Sequence, residues 1–134
     1  MTGEAVHGPG EVLTGGCHCG AVRFRVHVQG RGLLDCNCSI CRRKGFLHLI
    51  VAADAFELLH GGDQLLTYTF GTHVAKHRFC RVCGISAFYV PRSHPDGISV
   101  NARCLDVVLA EGLGAWTIAP FDGQNYEKNV ESIR

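Results

Sequence analysis

The cysteines of this 134-residue chain fall into short clusters, and their spacing restricts the fold more than any other feature. A C-x-C pair, a C-x-C-x-x-C triplet and a C-x-x-C pair leave only Cys104 outside the clusters. Four thiolates complete a tetrahedral zinc site, whereas three leave one position open to water or a substrate. The spacing therefore predicts a closed structural zinc site and an open second zinc site, formed respectively by Cys17, Cys19, Cys80 and Cys83 and by Cys36, Cys38 and Cys41.

Composition favours one loop-rich β domain. Hydrophobic residues make up 46% of the chain, which is enough for a core, and the 17 glycines indicate many tight turns. Gly8-Pro9-Gly10 breaks regular structure, so we expect residues 1–12 to form a flexible tail and residues 13–134 to form the zinc-binding domain. With a net charge of +1 and a single dense basic run, the chain does not have the charge pattern of a nucleic-acid-binding protein.

Hydropathy predicts the cellular compartment of the protein and therefore the oxidation state of its cysteines. The chain shows no secretory signal pattern and no apolar run suited to a membrane span. We therefore expect a cytoplasmic protein, with the nucleus as a second location, in which the cysteines are reduced. Clustered reduced cysteines indicate metal binding, and disulfides are the alternative.

Alternating and apolar runs predict a mainly antiparallel all-β fold whose turns carry the cysteines. The clearest alternation lies in residues 21–28, where Val22, Phe24, Val26 and Val28 share one face. Further strands are predicted at residues 47–52, 56–59, 65–70, 85–90 and 98–105, and a short helix from about residue 125.

The fourth ligand of the open site is not apparent from the sequence. His48, His73 and His77 are candidates, whereas Cys104 lies on the apolar face of its strand and is expected in the core. His18 lies between two cysteines and is interpreted as a neighbour of the closed site. Cationic side chains lower thiol pKa values and bind anionic ligands. The candidate substrate-binding residues are therefore Arg42, Arg43, Lys44 and His48.

These motifs resemble the glutathione-dependent formaldehyde-activating enzyme family, in particular its centromere protein V-like branch. Residues 15–24, 36–41 and 79–84 carry the family resemblance, and residues 67–70 and 89–93 resemble that branch. The resemblance implies a zinc-stapled β-tent fold, with a structural zinc on the four-cysteine set and a catalytic zinc on the triplet. It also implies addition of glutathione to formaldehyde, a carbon–sulfur lyase reaction. The chain differs in having Tyr126-Glu127 where the family often has Trp-Glu.

Three functions are compatible with two zinc sites. The main prediction is a zinc-dependent carbon–sulfur lyase-type enzyme with two Zn²⁺ per chain, in which Cys36, Cys38 and Cys41 hold the catalytic ion. There, zinc deprotonates glutathione or a related thiol, and the thiolate adds to formaldehyde or a small aldehyde. The alternatives are a non-catalytic zinc-binding module that mediates a protein interaction and a labile zinc or redox buffer. No membrane partner is expected.

Overall fold

Strand β2, Arg23–Val28, organises the core through its alternating side chains. Phe24, Val26 and Val28 are buried, while Arg25 on the opposite face is exposed. Phe24 also stacks on Phe56 at a ring-centroid distance of 5.4 Å, because β2 pairs with strand β5, Phe56–His60. The computed structural model describes residues 10–134, and the predicted alternation of residues 21–28 is confirmed within it.

The described residues form three sheets that are mostly antiparallel. The first has the order β1-β2-β5, with β1 at Glu11–Gly16 and β5 at Phe56–His60. The third is the hairpin of β6 and β7, at Leu65–Tyr68 and His77–Cys80. This arrangement confirms the predicted all-β, mainly antiparallel fold class.

A five-stranded sheet of order β10-β3-β4-β9-β8 supports the triplet of cysteines. Its β10–β3 pair is parallel, and its other pairs are antiparallel. The strands are β3 at Gly32–Cys36, β4 at Leu47–Ala52, β8 at Phe88–Tyr89, β9 at Gly97–Asn101 and β10 at Thr117–Phe121.

Two short helices connect strands of the five-stranded sheet, and a third follows its last strand in the chain. They are α1 at Ser39–Lys44, α2 at Asp106–Glu111 and α3 at Tyr126–Asn129, the last of which agrees with the predicted C-terminal helix. Single 3₁₀ turns occupy Ala53–Ala55, Gly62–Gln64, Ala102–Cys104, Gly123–Asn125 and Val130–Ser132. Among the described helices, none has the length and apolar character needed to span a bilayer.

The N-terminal boundary differs from the prediction. Strand β1 begins at Glu11, inside the predicted tail of residues 1–12, and Glu11 pairs with Val28. Its carboxylate also accepts hydrogen bonds of 2.8 and 2.7 Å from the Nε and Nη2 atoms of Arg31. Backbone pairing and this ion pair hold Glu11 in the sheet, although composition alone assigned it to the tail. Residues 1–9 of the predicted tail lie outside the described residues.

Three predicted strands are shorter than expected, and the one predicted at residues 65–70 ends at Tyr68. In residues 85–90 only Phe88 and Tyr89 pair as a strand. The alternation of residues 98–105 continues past the end of β9 into the 3₁₀ turn Ala102–Cys104, and Ala102 and Cys104 remain buried there. Alternation thus predicted the burial of Val100, Ala102 and Cys104, but Ser99 and Asn101 on the other face are buried as well, and the backbone pairing that defines a strand ends earlier.

Candidate metal centres and the adjoining cavity

The four cysteines of the predicted closed site converge from two distant turns. Cys17 and Cys19 lie between β1 and β2, Cys80 ends β7, and Cys83 lies in the turn that follows. Their sulfur atoms all lie within 4.8 Å of one another. Every cysteine of the described chain is a free thiol, so disulfides do not account for the clustering.

Backbone N–H groups point at the sulfurs of this cluster. The N–H of Val22 donates to Cys17 Sγ over 3.3 Å, and that of Val82 donates to Cys80 Sγ over the same distance. Hydrogen bonds from the N–H groups of Cys83 and Val82 lower the pKa of Cys80. The donor set and its electrostatic environment fit a closed tetrahedral zinc site.

Gly84 closes the second turn with a φ of 79°, and Gly20 closes the first with a φ of 84°. A side chain is strained in this left-handed region, whereas glycine adopts it freely. The glycine that follows each cysteine pair therefore allows the loop to curl around the sulfurs.

The triplet lies where β3 leads into α1. Cys36 ends β3, Cys38 is the N-cap of α1, and Cys41 is buried in that helix. The three sulfurs lie within 4.8 Å of one another, and no fourth His, Cys, Asp or Glu atom of residues 10–134 joins this group. The sulfurs of Cys36 and Cys41 lower the pKa of Cys38 through hydrogen bonds, with further contributions from the N–H groups of Cys41 and Ile40. Cys38 is therefore the thiol of this group that ionises first.

A C-terminal loop packs closely against the triplet. The N–H of Asn37 donates to the Phe121 carbonyl over 3.2 Å, and its side-chain amide donates to Asp122 Oδ1 over 3.0 Å. The N–H of Gln124 donates in turn to Asn37 Oδ1 over 2.9 Å. A Cβ atom at Gly123 would stand 2.4 Å from Cys36 Sγ, so only glycine fits at this position without movement.

We expect Gly123→Ala to weaken metal binding at the triplet while the domain stays folded. The added methyl group forces the loop or Cys36 to move, and disturbing the supports of metal ligands costs about 10- to 100-fold in metal affinity. Chelator competition measures this change, with thermal melting as the check on folding. Gly114→Ala is the matched control, because a Cβ there meets nothing within 4 Å. Equal chelator sensitivity of the two variants would contradict the expectation.

A cavity of about 520 Å³ opens beside the triplet, and all three cysteines line it. The lining also includes aromatic side chains, namely Phe70, Tyr89, Phe121 and Tyr126. The position left open by the three sulfurs is thus next to a space that is large enough for a small-molecule ligand.

The predicted basic contacts do not line this cavity. Arg42 and Arg43 are exposed on α1, and Arg43 Nη1 donates to the carbonyl of Ser39 over 3.0 Å. Lys44 turns inward, with its Nζ 3.3 Å from His77 Nδ1 and 4.4 Å from the ring centroid of Tyr89. A six-residue helix following the triplet presents successive side chains in different directions, which places these three residues outside the cavity lining.

The fourth candidate, His48, does line the cavity. It is 4% exposed, and its Nδ1 lies 3.0 Å from Ser99 Oγ and 3.4 Å from Tyr89 Oη. Burial and the positive charge of Lys44 lower the pKa of His48 to about 4, so the ring is neutral at pH 7.

His77 joins His48 in the cavity wall. Its ring stacks on that of Tyr89 at 4.8 Å, and burial together with Lys44 lowers the pKa of His77 to about 4. Neither histidine completes the triplet as a fourth ligand in this geometry.

The remaining candidates lie elsewhere. His73 is exposed, and its Nδ1 lies 2.8 Å from Thr69 Oγ1. His18 is exposed and is not one of the grouped ligand atoms. Cys104 is buried in the core and belongs to neither group, as the alternation of its strand predicted.

The site predicted from sequence did not include Arg92, a cationic residue of the cavity. Arg92 lines the cavity, its guanidinium carbon lies 4.1 Å from the ring centroid of Tyr126, and it forms an ion pair with Glu127. Residues 89–93 and the Tyr126-Glu127 pair both belong to segments that were compared with the family pattern. No local pattern, however, indicated that these distant segments meet.

Comparisons with known proteins agree with this architecture. The sequence model of the family described as glutathione-dependent formaldehyde-activating enzyme matches residues 12–117. A curated protein of Halomonas elongata, which bears the provisional name of a glutathione-dependent formaldehyde-activating enzyme, is 31% identical over 104 residues. That alignment covers 71% of this chain and 66% of the relative, just under two thirds of its length.

A crystal structure of a Rhodobacter sphaeroides protein is similar to most of this chain. Its TM-score is 0.71 at 36% sequence identity, and the alignment covers 80% of this chain and 100% of that protein. None of these matches distinguishes the centromere protein V-like branch, which stays a prediction. The family match also ends before the loop that carries Gly123, so the contacts of that loop with the triplet rest on this structure alone.

Proposed function

This chain belongs to the glutathione-dependent formaldehyde-activating enzyme family, and we propose that it adds the thiol of glutathione to formaldehyde in the cavity beside the cysteine triplet. One observation carries the proposal: three clustered sulfurs, with no fourth protein ligand in residues 10–134, line a cavity of about 520 Å³. A site with three protein ligands and one open position is typical of catalytic rather than structural zinc.

The donor chemistry of the triplet supports zinc as the metal. Thiolates are soft ligands, and three of them with an open position suit a four-coordinate ion. Cys36, Cys38 and Cys41 would hold it, and the ion would supply a lowered pKa for a thiol that enters the open position. The four-cysteine set would hold a second, structural ion.

The proposed reaction is a simple addition without oxidation or reduction. A carbon–sulfur bond forms between glutathione and formaldehyde as the π bond of the carbonyl group breaks. The proton released by the thiol is matched by the proton taken up by the new hydroxyl group. The reverse reaction, which breaks the carbon–sulfur bond, makes the enzyme a carbon–sulfur lyase.

The aromatic walls and Arg92 suit the other parts of glutathione. Rings of Tyr89, Phe121 and Tyr126 limit access of water to the reacting groups. Glutathione also carries two carboxylates, and the planar guanidinium group of Arg92 matches a carboxylate. Glu127, the ion-pair partner of Arg92, has a side chain that is 76% exposed, so a ligand carboxylate can compete with it. We therefore assign the carboxylate contact to Arg92 in place of Arg42 and Arg43.

The cavity also favours the enzyme over the non-catalytic module. A purely structural second site requires no access for ligands, whereas Cys36, Cys38 and Cys41 all line an open space. Ligand binding through the thiol separates the two hypotheses experimentally.

We expect glutathione to bind the metal-containing protein and S-methylglutathione to bind far more weakly. The methylated sulfur has no proton to lose and cannot become a thiolate. Removal of the metal by a chelator should abolish glutathione binding. Isothermal titration calorimetry with the two ligands, before and after metal removal, measures both effects. Equal affinities for the two ligands, or binding that survives metal removal, would support the non-catalytic module instead.

Two matched arginine variants locate the carboxylate contact in the same assay. Arg92→Gln should weaken glutathione binding by about fivefold, or about 1 kcal/mol, because the partly exposed guanidinium is screened by solvent. Arg43→Gln should leave the affinity unchanged, since Arg43 lies outside the cavity lining. A larger effect at Arg43 than at Arg92 would restore the original assignment to the basic run.

A further inference from the structure

His48 presents a buried ring nitrogen that has no hydrogen-bond partner among residues 10–134. The ring lies on β4 and is 4% exposed, and it lines the cavity beside the cysteine triplet. Its Nε2 atom is fully buried and makes no hydrogen bond within the described part of the chain. A buried polar atom left without a partner costs about 1–3 kcal/mol. The ring borders the cavity, so a small shift of the side chains around Nε2 would let a cavity ligand supply the missing partner.

The surroundings of Nδ1 determine which hydrogen-bond role remains for Nε2. Nδ1 faces two hydroxyl groups, those of Ser99 at 3.0 Å and Tyr89 at 3.4 Å. Ser99 is completely buried on β9, which pairs with β4, so its position is fixed by the sheet. If a hydroxyl group donates to Nδ1 of the neutral ring, the ring proton resides on Nε2, whereas a hydroxyl group that accepts from Nδ1–H leaves Nε2 as an acceptor.

The ring of His48 is also neutral at pH 7, because burial and the charge of Lys44 lower its pKa. A neutral imidazole with its proton on Nε2 is a hydrogen-bond donor. The matching ligand atom is an acceptor, such as a carbonyl or hydroxyl oxygen. Formaldehyde carries one such oxygen, and the adduct carries one on the carbon that reacted, whereas the thiol group of glutathione carries none.

We propose that the Ser99 hydroxyl group donates to Nδ1 of His48 and so fixes the tautomer, and that the Nε2–H group then donates a hydrogen bond to the aldehyde oxygen and to the hydroxyl oxygen of the adduct. This inference rests on the proposed addition reaction. As sulfur bonds to carbon, negative charge develops on the oxygen, and a donor already in place stabilises it. The oxygen finally takes up a proton equivalent to the one that the thiol released. The imidazole ends the reaction in the form in which it began, and Ser99 acts as a positioning residue.

Paired variants of His48 test the donor. Loss of one such donor typically lowers kcat by about 10²- to 10³-fold. We therefore expect His48→Leu to lower kcat for the addition by at least about 100-fold while the Kd for glutathione stays unchanged. His48→Gln keeps an N–H donor at a similar distance and should recover part of that loss. His60→Leu is the control, because His60 is exposed and lies outside the cavity lining. Circular dichroism and thermal melting establish that each variant is folded.

Nitrogen-15 NMR of the histidine rings tests the inference without kinetics. In the wild type at pH 7, His48 should show the Nε2–H tautomer, and its resonance should shift when glutathione and formaldehyde are both present but not with glutathione alone. Ser99→Ala should mix the two tautomers and lower kcat by less than His48→Leu does. A smaller loss of kcat in Ser99→Ala than in His48→Leu would indicate that Ser99 positions the ring, whereas His48 contacts the substrate directly.

The outcomes distinguish this inference from the proposed function. If the wild type accelerates the addition and His48→Leu does so equally well, the inference is wrong and the proposed function stands. The inference is also overturned if wild-type His48 shows the Nδ1–H tautomer, or if its ring resonance does not shift when formaldehyde is added to the glutathione complex. If the wild type binds glutathione but does not accelerate the addition, the proposed function fails and the inference fails with it.

Discussion

Cys80→Ser is expected to yield insoluble protein or a molten state without fixed tertiary packing. Cys80 is 1% exposed, and its sulfur lies 3.7 Å from that of Cys19, so the residue joins the turn before β2 to the end of β7. A structural zinc site contributes about 10–16 kcal/mol of apparent binding free energy in small zinc domains. The whole free energy of unfolding of a domain is only about 5–15 kcal/mol. Loss of this site therefore removes an amount comparable with the entire stability.

Soluble yield, near-ultraviolet circular dichroism and thermal melting measure the effect of Cys80→Ser. Cys104→Ser is the matched control, since Cys104 is also a buried free thiol but lies outside both clusters. The control should remain folded and melt cooperatively at a somewhat lower temperature, because its hydroxyl group is buried in place of the thiol. Cooperative melting of Cys80→Ser near the wild-type temperature would contradict a structural role for the four-cysteine set.

Cys38→Ser should have the opposite result, with a folded protein whose rate of glutathione addition falls to the uncatalysed background. Cys38 caps α1 by accepting a hydrogen bond from the N–H of Cys41, and serine is a favourable residue at that position. The helix can therefore form in the variant. The triplet, however, loses one of its three thiolates and retains too few ligands to hold zinc with an open position.

Metal analysis, thermal melting and the rate of formaldehyde consumption measure these three consequences. The metal content should fall by about one ion per chain, while the melting transition stays cooperative. Arg42→Ala serves as the local control, because Arg42 is exposed on α1 outside the cavity lining and its replacement removes no sulfur. A Cys38→Ser protein that retains wild-type turnover would refute the triplet as the catalytic site, and one that fails to fold would refute the division between structural and catalytic clusters.

The two groups of cysteines could be predicted from sequence because each cluster is local. The cysteines of a C-x-C or C-x-x-C motif lie within one turn, so their spacing alone limits which sulfurs can meet. Gly20 and Gly84 follow their pairs directly, and both have the positive φ that such turns require. Only the joining of Cys17 and Cys80 across the fold required an assumption, namely that a closed site needs four ligands.

The alternation of strand β2 was equally informative. Successive side chains of a strand point to opposite faces, so Phe24, Val26 and Val28 had to share an environment, and all three are buried. The boundary at residue 12 was wrong because composition does not register the pairing of Glu11 with Val28 or its ion pair with Arg31.

By itself the sequence determined the family, the β class and the cysteine clusters, since each depends on residues that are adjacent or regularly spaced in the chain. Only the tertiary structure decided what surrounds the open position of the triplet. Arg92 contacts Tyr126 in the cavity wall, and His48 lies beside Ser99 because β4 pairs with β9. These contacts join segments that are more than thirty residues apart, and the pairing of strands and the packing of loops create them. Arg42 and Arg43 have the same chemistry as Arg92, but the direction of a short exposed helix keeps them out of the cavity lining.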